Sequence, residues 1–586
     1  MEKRSGGISR LARRRFLKAV PAAVAAGLAA PSLAQQAQEQ RISKDALDCA
    51  EKITGIDFPD ADQQQALVGV NNNLASFERL RNTNIPLDTE PALTFRPYLP
   101  GKKPKPGATP NGKVKVTAVP AARRSSIDDL AFLPVAALSG LVRKRDVSST
   151  ELTRMYLERL KKFGPKLNCV VTLTEDLALA QAAQADKDIR SGRYKGPLHG
   201  IPWGAKDLLA TKGILTTWGA TAYQNQVFDY DATVVERLRD AGAVLVAKLS
   251  LGALAQGDNW FRGQTKNPWN GRGSSGSSAG PGAATAAGLV GFAIGTETRG
   301  SIISPASVNN VVGLRPTYGR VSRFGAMALS WTMDKIGPMC RSVEDCALVF
   351  NAIYGPDGHD DTVVDAPFEW NPDIPLSKLR IGYVKSEFEE QPPDGRGGGR
   401  GRGGLTAEQL RAQDEARVKA LKVALDVYRK AGATLHPIDI PAADLANTIG
   451  FILSVEAAAA FDDLTRSKDI NDPTLNTWPN TFRVHRYVPA VEYIRAQRAR
   501  TLVMREMDTL MSQYDVFLSS TNSRSLALTN LTGHPAVALP AGFHDETLTP
   551  IELMITGRLY DEGTLLRVAL AYEQATTWHT KTPSLT

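Results

Sequence analysis

Cysteine, histidine and long apolar runs are all scarce in this sequence, and each scarcity excludes something. Four cysteines, Cys49, Cys169, Cys340 and Cys346, and seven scattered histidines occur in 586 residues. No two cysteines stand as C-x-x-C and no cysteine–histidine group has a zinc spacing, so no metal is expected. The apolar stretch Ala19 to Ala30 is shorter than the roughly 20 residues that cross a bilayer, and no other segment reads as long and apolar enough to do so. The net charge is +9, but residues 1–34 hold Lys3, Arg4, Arg10, Arg13, Arg14, Arg15 and Lys18 against Glu2 and supply +6 of it. The remaining +3 makes no general case for nucleic acid as a partner.

Those basic residues form a pattern of their own. Arg13-Arg14-Arg15-Phe16-Leu17-Lys18 resembles a twin-arginine motif, and Ser32-Leu33-Ala34 offers small residues for cleavage. Residues 1–34 therefore read as a signal peptide for the twin-arginine export machinery. The expected mature protein is periplasmic or secreted, with no stable membrane insertion. A basic tail and a transit peptide of another kind are the alternatives. This route generally carries folded proteins, so the core need not rely on disulfides. A Cys340–Cys346 bridge stays open, and buried free thiols are the expectation.

A hydrophobic content of 42% suits a globular chain with a sizeable core. Residues 35–127 read as an extension that wraps the core, with helices near 43–53 and 61–83 and an irregular Pro100–Gly107 stretch. From residue 128 to 586, helix and strand signals alternate. Ser148-Ser149-Thr150-Glu151 is a capping box, followed by Leu152, Tyr156 and Leu160 on one helix face. A helix near 233–241 stops at Gly242, before a strand at 244–247. Thr406 opens a helix that runs to Gly432. Further strand signals lie at 379–384 and 516–519. The alternation argues for an α/β layered fold. Residues 391–404, QPPDGRGGGRGRGG, have three arginines and no interleaved aromatics, and read as a flexible surface insertion rather than an RNA contact.

The richest segment is Gly273 to Ser307, GSSGSSAGPGAATAAGLVGFAIGTETRGSIISPAS. Two serine-bearing turns flank an Ala/Gly run able to pack close to neighbouring backbone. Upstream stands Gly200-Ile201-Pro202-Trp203-Gly204-Ala205-Lys206-Asp207. Two serines and a lysine suffice for nucleophilic catalysis without histidine. Together with Gly313-Leu314-Arg315-Pro316-Thr317-Tyr318-Gly319, Asp334-Lys335-Ile336-Gly337-Pro338 and Leu531-Thr532-Gly533-His534-Pro535, these motifs resemble the amidase signature family over about residues 128–575. The resemblance implies one large mixed sheet with helices on both faces, and hydrolysis of a small-molecule carboxamide without any metal or organic cofactor.

By motif position, the resemblance makes Ser301 the nucleophile, Ser277 the bridging serine, held on a cis peptide bond, and Lys206 the base. The spacing of 24 residues from Ser277 to Ser301 selects Ser277 over Ser274, which would need 27. Lys206 has to be neutral to take a proton, which burial favours, and Asp207 is expected to point away from it. The backbone N–H groups of Thr298, Arg299, Gly300 and Ser301 are oxyanion-hole candidates, and Arg299 departs from the glycine common at its position. Among Phe451, Phe461, Trp478, Phe482, Tyr487 and Tyr493, most are expected in the core and some against substrate.

Three rivals remain. An esterase would use Ser278, within the G-x-S-x-G run Gly276–Gly280, and a histidine such as His534. A glutaminase subunit of a tRNA-dependent amidotransferase would share the fold, and an export signal argues against it. A binding protein that has lost turnover would not need Lys206, Ser277 and Ser301 together.

Overall fold

The structure, a computed structural model, describes residues 41–55, 57–81, 93–117, 126–389, 406–521, 523–544 and 547–585. The signal-peptide reading of residues 1–34 and the insertion 391–404 lie outside the described residues. The chain divides into two units, 1–84 and 85–586. In the first, helices Lys44–Thr54 and Asp60–Arg81 occur where the sequence placed them, within a few residues. Ser43 caps the former, and Glu51 accepts from Gln63 Nε2 at 2.8 Å.

The second unit is built on an 11-stranded sheet, with strands numbered here in chain order. They are β1 Val170–Leu173, β2 Pro202–Lys206, β3 Val244–Leu249, β4 Phe292–Glu297, β5 Val312–Arg315 and β6 Lys335–Cys340. They continue as β7 Ile381–Val384, β8 Leu435–Ile438, β9 Val516–Ser520, β10 Ala536–His544 and β11 Thr549–Gly557. The spatial order is β1-β3-β2-β4-β6-β5-β10-β11-β9-β7-β8. β3, β2 and β4 run parallel, β9, β7 and β8 likewise, and the strands between are antiparallel. This mixed α/β sheet with flanking helices is the architecture the motifs implied.

Local rules explain the supporting helices. Ser148 Oγ accepts from Glu151 N at 3.1 Å while Glu151 accepts from Ser148 N at 2.8 Å, which completes the capping box. Leu152, Tyr156 and Leu160 of the helix Ser149–Leu167 are all buried. Thr406 and Gln409 cap the helix Ala407–Lys430 in the same way. The segment 93–117 lies against this unit: the amides of Gly107 and Ala108 donate to Asp365, and that of Thr109 to Tyr354 Oη. Cys169, Cys340 and Cys346 are buried free thiols and Cys49 is an exposed one.

One expectation needs correction. Ala443–Ala460 has a mean hydropathy of 1.2 and the length of a membrane span, so a second apolar stretch does exist. In the fold it is two helices, Ala443–Thr448 and Ile452–Ala460, separated by Ile449–Phe451. At 1.5 Å per residue, neither reaches across a hydrocarbon core of about 30 Å.

Strand alternation sets up the site. Trp203 and Ala205 of β2, and Phe292 and Ile294 of β4, enter one core; Ala293 enters the other, beside Ala283 and Ala284. Lys206 shares that second side. There the helix Ala279–Ala286 comes so near the end of β3 that a Cβ on Gly280 would fall 2.5 Å from Ser250 N, and within the sheet one on Gly204 would fall 2.4 Å from Leu249 Cδ1 of the adjacent strand. The Ala/Gly run thus allows two serine turns and the end of a strand to meet.

Candidate active site

Lys206 closes β2 and is wholly buried. Its Nζ lies 2.8 Å from Ser277 Oγ, 3.0 Å from Ser278 Oγ and 2.8 Å from Thr296 Oγ1. Ser277 and Ser278 precede the helix Ala279–Ala286, and Thr296 stands on β4, beside β2 in the sheet. The Gly276–Ser277 peptide is cis. A Cβ on Gly276 would lie 1.7 Å from Gly257 O, so only glycine fits there.

These three hydroxyls and the Thr296 carbonyl, 3.4 Å from Nζ, are all neutral. Burial therefore pushes the Lys206 pKa well below 10.5, and the charges of Asp334 and Glu297 only partly oppose it. A neutral amine has two N–H donors and one lone pair. Ser278 cannot fill the lone pair, because its hydroxyl donates to Thr296 O at 3.1 Å. Of the two remaining hydroxyls, Ser277 and Thr296, both 2.8 Å from Nζ, either can donate into that lone pair. Asp207 turns away, as expected: it pairs with Lys248 at 3.2 Å and accepts from Thr217 N at 2.8 Å.

Beyond Glu297, the chain leaves β4 through a turn that carries Thr298, Arg299, Gly300 and Ser301. Gly300 adopts φ +103°, a conformation that favours glycine. Ser301 is partly exposed, whereas Ser277 and Ser278 are buried. Its carbonyl accepts from Ser278 N at 3.2 Å, which ties the two serine turns together. Arg299 is exposed, and its guanidinium reaches toward Gly450.

Side chains that the sequence motifs did not single out hold this turn. Glu297 accepts from Ile302 N at 2.8 Å and Ile303 N at 2.9 Å, and pairs with Arg315 at 2.9 Å and Asn530 at 2.8 Å. Burial alone would raise its pKa, but Arg315 and the Ile303 amide hold it below the ordinary value. Thr298 Oγ1 donates to Asp334 at 2.6 Å. The motif G-T-E-T-R-G-S contained this signal, since its acidic residue stands beside the serine turn. Its partners, however, come from β5 and from the helix Arg524–Thr532, far away in sequence.

A pocket meets this cluster at Thr296 and Thr298. Leu208, Phe324, Met327, Leu329, Trp331 and Ile336 supply its apolar walls. Two of its charged residues, Arg323 and Asp360, are paired with each other at 2.9 Å. Of the aromatic residues at 445–500, Phe461, Trp478 and Phe482 are buried in the core, Phe451 is half-buried and Tyr487 is exposed. Tyr493 donates to Glu456 at 2.7 Å. His534 is buried with Nδ1 2.8 Å from Thr532 Oγ1, and burial, aided by Arg315, lowers its pKa to about 3. No histidine is among the hydrogen-bond partners of Ser278 in the described residues, which removes the geometry an esterase elbow requires.

Comparison with known proteins bears on the family and the fold. A family model described as Amidase matches residues 151–396. A glutamyl-tRNA(Gln) amidotransferase subunit from Marinomonas sp. is 34% identical over 501 residues, covering 77% of this chain and 98% of that protein. Its counterpart from Heliobacterium modesticaldum is 35% identical over 76% of this chain and 98% of its own length. Among solved structures, native peptide amidase from Stenotrophomonas maltophilia superposes with a TM-score of 0.67 at 30% identity, over 78% of this chain and 99% of that one.

Proposed function

The chain belongs to the amidase family of C–N hydrolases, and on that footing we propose that it cleaves a small-molecule carboxamide through Ser301, Ser277 and Lys206. The observation that carries this reading is the buried Lys206, with hydroxyls and no carboxylate around Nζ. Ser301 attacks the carbonyl carbon. Its proton passes to Ser277, whose own proton passes to Lys206. The N–H groups of Thr298, Arg299, Gly300 and Ser301 receive the oxyanion. The C–N bond breaks as the proton returns to the leaving amine, and water then hydrolyses the acyl-enzyme by the same relay. The apolar walls favour an uncharged acyl group.

A fluorophosphonate probe tests this assignment. Ser301→Ala is expected to abolish labelling of the purified protein, and Ser278→Ala to preserve it. The reverse pattern would return the nucleophile to Ser278.

The named relatives support a second reading, glutaminase work within an amidotransferase. Hydrolysis of glutamine in preference to every neutral amide offered would favour it. Against it stands the N-terminal pattern, from which we propose twin-arginine export to the periplasm or beyond. Changing Arg13 and Arg14 to Lys should hold the precursor in the cytoplasm. Unchanged appearance of the mature form outside the cytoplasm would refute the export route.

A further inference from the structure

One wall of the pocket is the turn 329–334, from which Leu329, Trp331 and Asp334 face the cavity. The indole Nε1 of Trp331 is buried and has no hydrogen-bond partner among the described residues. The position of that ring is therefore set by its main chain. Glu456 grips the turn through Ser330 Oγ at 2.7 Å, Thr332 N at 3.0 Å and Thr332 Oγ1 at 2.7 Å. Tyr318 Oη donates to Trp331 O at 2.6 Å, and Arg323 donates to the same carbonyl. Arg500 donates to Thr332 Oγ1 at 2.8 Å, to Thr332 O at 2.9 Å and to Leu531 O at 2.6 Å.

Arg500 is 1% exposed, and its hydrogen bonds go to neutral oxygens. The charge of Glu456 offsets part of the cost of burying it, and an aromatic face adds a direct contact. The Phe95 ring lies 3.5 Å from Arg500 Cζ, a cation–π contact in a desolvated setting, where such contacts are strongest. The same ring meets Tyr318 edge-on, with centroids 5.1 Å apart. One side chain of the 93–117 segment thus touches two of the three groups that bind the carbonyls of Trp331 and Thr332, Tyr318 and Arg500.

We propose that Phe95 is a specificity-positioning residue, holding Arg500 and Tyr318 in the orientations from which they fix Trp331 against the substrate's acyl group. The proposal rests on the amidase reading only in taking this pocket as the acyl site. The segment before the family-like region then shapes the substrate range without touching substrate.

The test uses the full chain as wild type, Phe95→Ala, Phe95→Leu and Phe95→Tyr, with propionamide and phenylacetamide as substrates. Phe95→Ala should raise KM for phenylacetamide about tenfold, leaving its kcat and both constants for propionamide within about twofold. Phe95→Tyr should restore the wild-type KM. Phe95→Leu, which keeps apolar bulk but has no π face, should not. Equal losses on both substrates, or a wild-type Phe95→Leu, would overturn the proposal.

A second readout does not depend on turnover. In protein labelled with 5-fluorotryptophan, the ¹⁹F signal that Trp331→Phe removes should move in Phe95→Ala and return in Phe95→Tyr. An unmoved signal overturns the role of Phe95 whatever the enzyme hydrolyses. A signal that moves in a wild-type background inactive on every amide supports the role and refutes the amidase reading instead.

Discussion

Two lysines stand almost side by side in the sheet and teach different lessons. Lys206 ends β2 and Lys248 lies on β3, with Ala205 opposite Lys248 and Lys206 opposite Leu249. Both are 0% exposed, and strand alternation sends them to opposite faces of the sheet. Lys248 meets a carboxylate, Asp207, at 3.2 Å, and also donates to Leu209 O at 2.9 Å and Thr216 Oγ1 at 2.6 Å. Burial lowers its pKa, and Asp207 pulls that value back. Lys206 contacts only hydroxyls and a carbonyl, and burial lowers it well below 10.5, with Asp334 and Glu297 opposing only in part. Burial by itself does not make a base; burial without a nearby carboxylate does. The lysine–aspartate dipeptide Lys206-Asp207 places the two side chains on opposite faces, so that the carboxylate neutralises the structural lysine and spares the catalytic candidate.

The comparison can be broken from the Asp207 side. Asp207→Asn leaves Lys248 buried without its counter-charge. Removing one partner of a buried ion pair costs about 3–5 kcal/mol, so urea unfolding should show a loss of that order, while fluorophosphonate still labels the folded fraction at Ser301. A loss below about 1 kcal/mol, the range of exposed pairs, would mean that the pair does not matter as argued. Adding Lys248→Met to Asp207→Asn has the smaller expected effect. Most of the cost of breaking a buried pair is the charge left unpaired, and Lys248→Met removes that charge, so the double variant should regain most of what Asp207→Asn loses. A double variant no better than Asp207→Asn would show that the loss comes from Thr217, the other partner of Asp207, and not from the orphaned ammonium.

Much of this was legible in the sequence, for reasons that differ by element. The capping residues Ser148, Glu151 and Thr406 act within one helical turn, so their signal is local. The sidedness of Lys206 and Asp207 follows from strand alternation over two residues. The small residues at Gly204, Gly276 and Gly280 mark close approaches that no larger side chain permits. What was not legible depends on which strands become neighbours. Thr296 reaches Lys206 because β4 pairs with β2. Glu297 is held by Arg315 and Asn530, and Arg500 by Phe95; no local pattern announces either. Ala443–Ala460, which the sequence reading passes over as too short or too polar to span a membrane, meets that test by composition. Its hydropathy suits a span, yet it carries Glu456, whose carboxylate satisfies the turn 330–332 inside the fold.

The central claim is that Lys206 is neutral at working pH and is the base. The direct measurement is kcat/KM for a neutral amide from about pH 5 to 10, for the wild type and for Lys206→Met. The unprotonated amine is the active form, so the rate should rise with pH and level off well below 10.5, the ordinary lysine value. Lys206→Met should abolish that limb and lower the plateau by at least about a hundredfold, the low end for a positioned general base. A wild-type profile still climbing at about pH 10, where an ordinary lysine titrates, or a Lys206→Met variant with the same rising limb, would contradict the account.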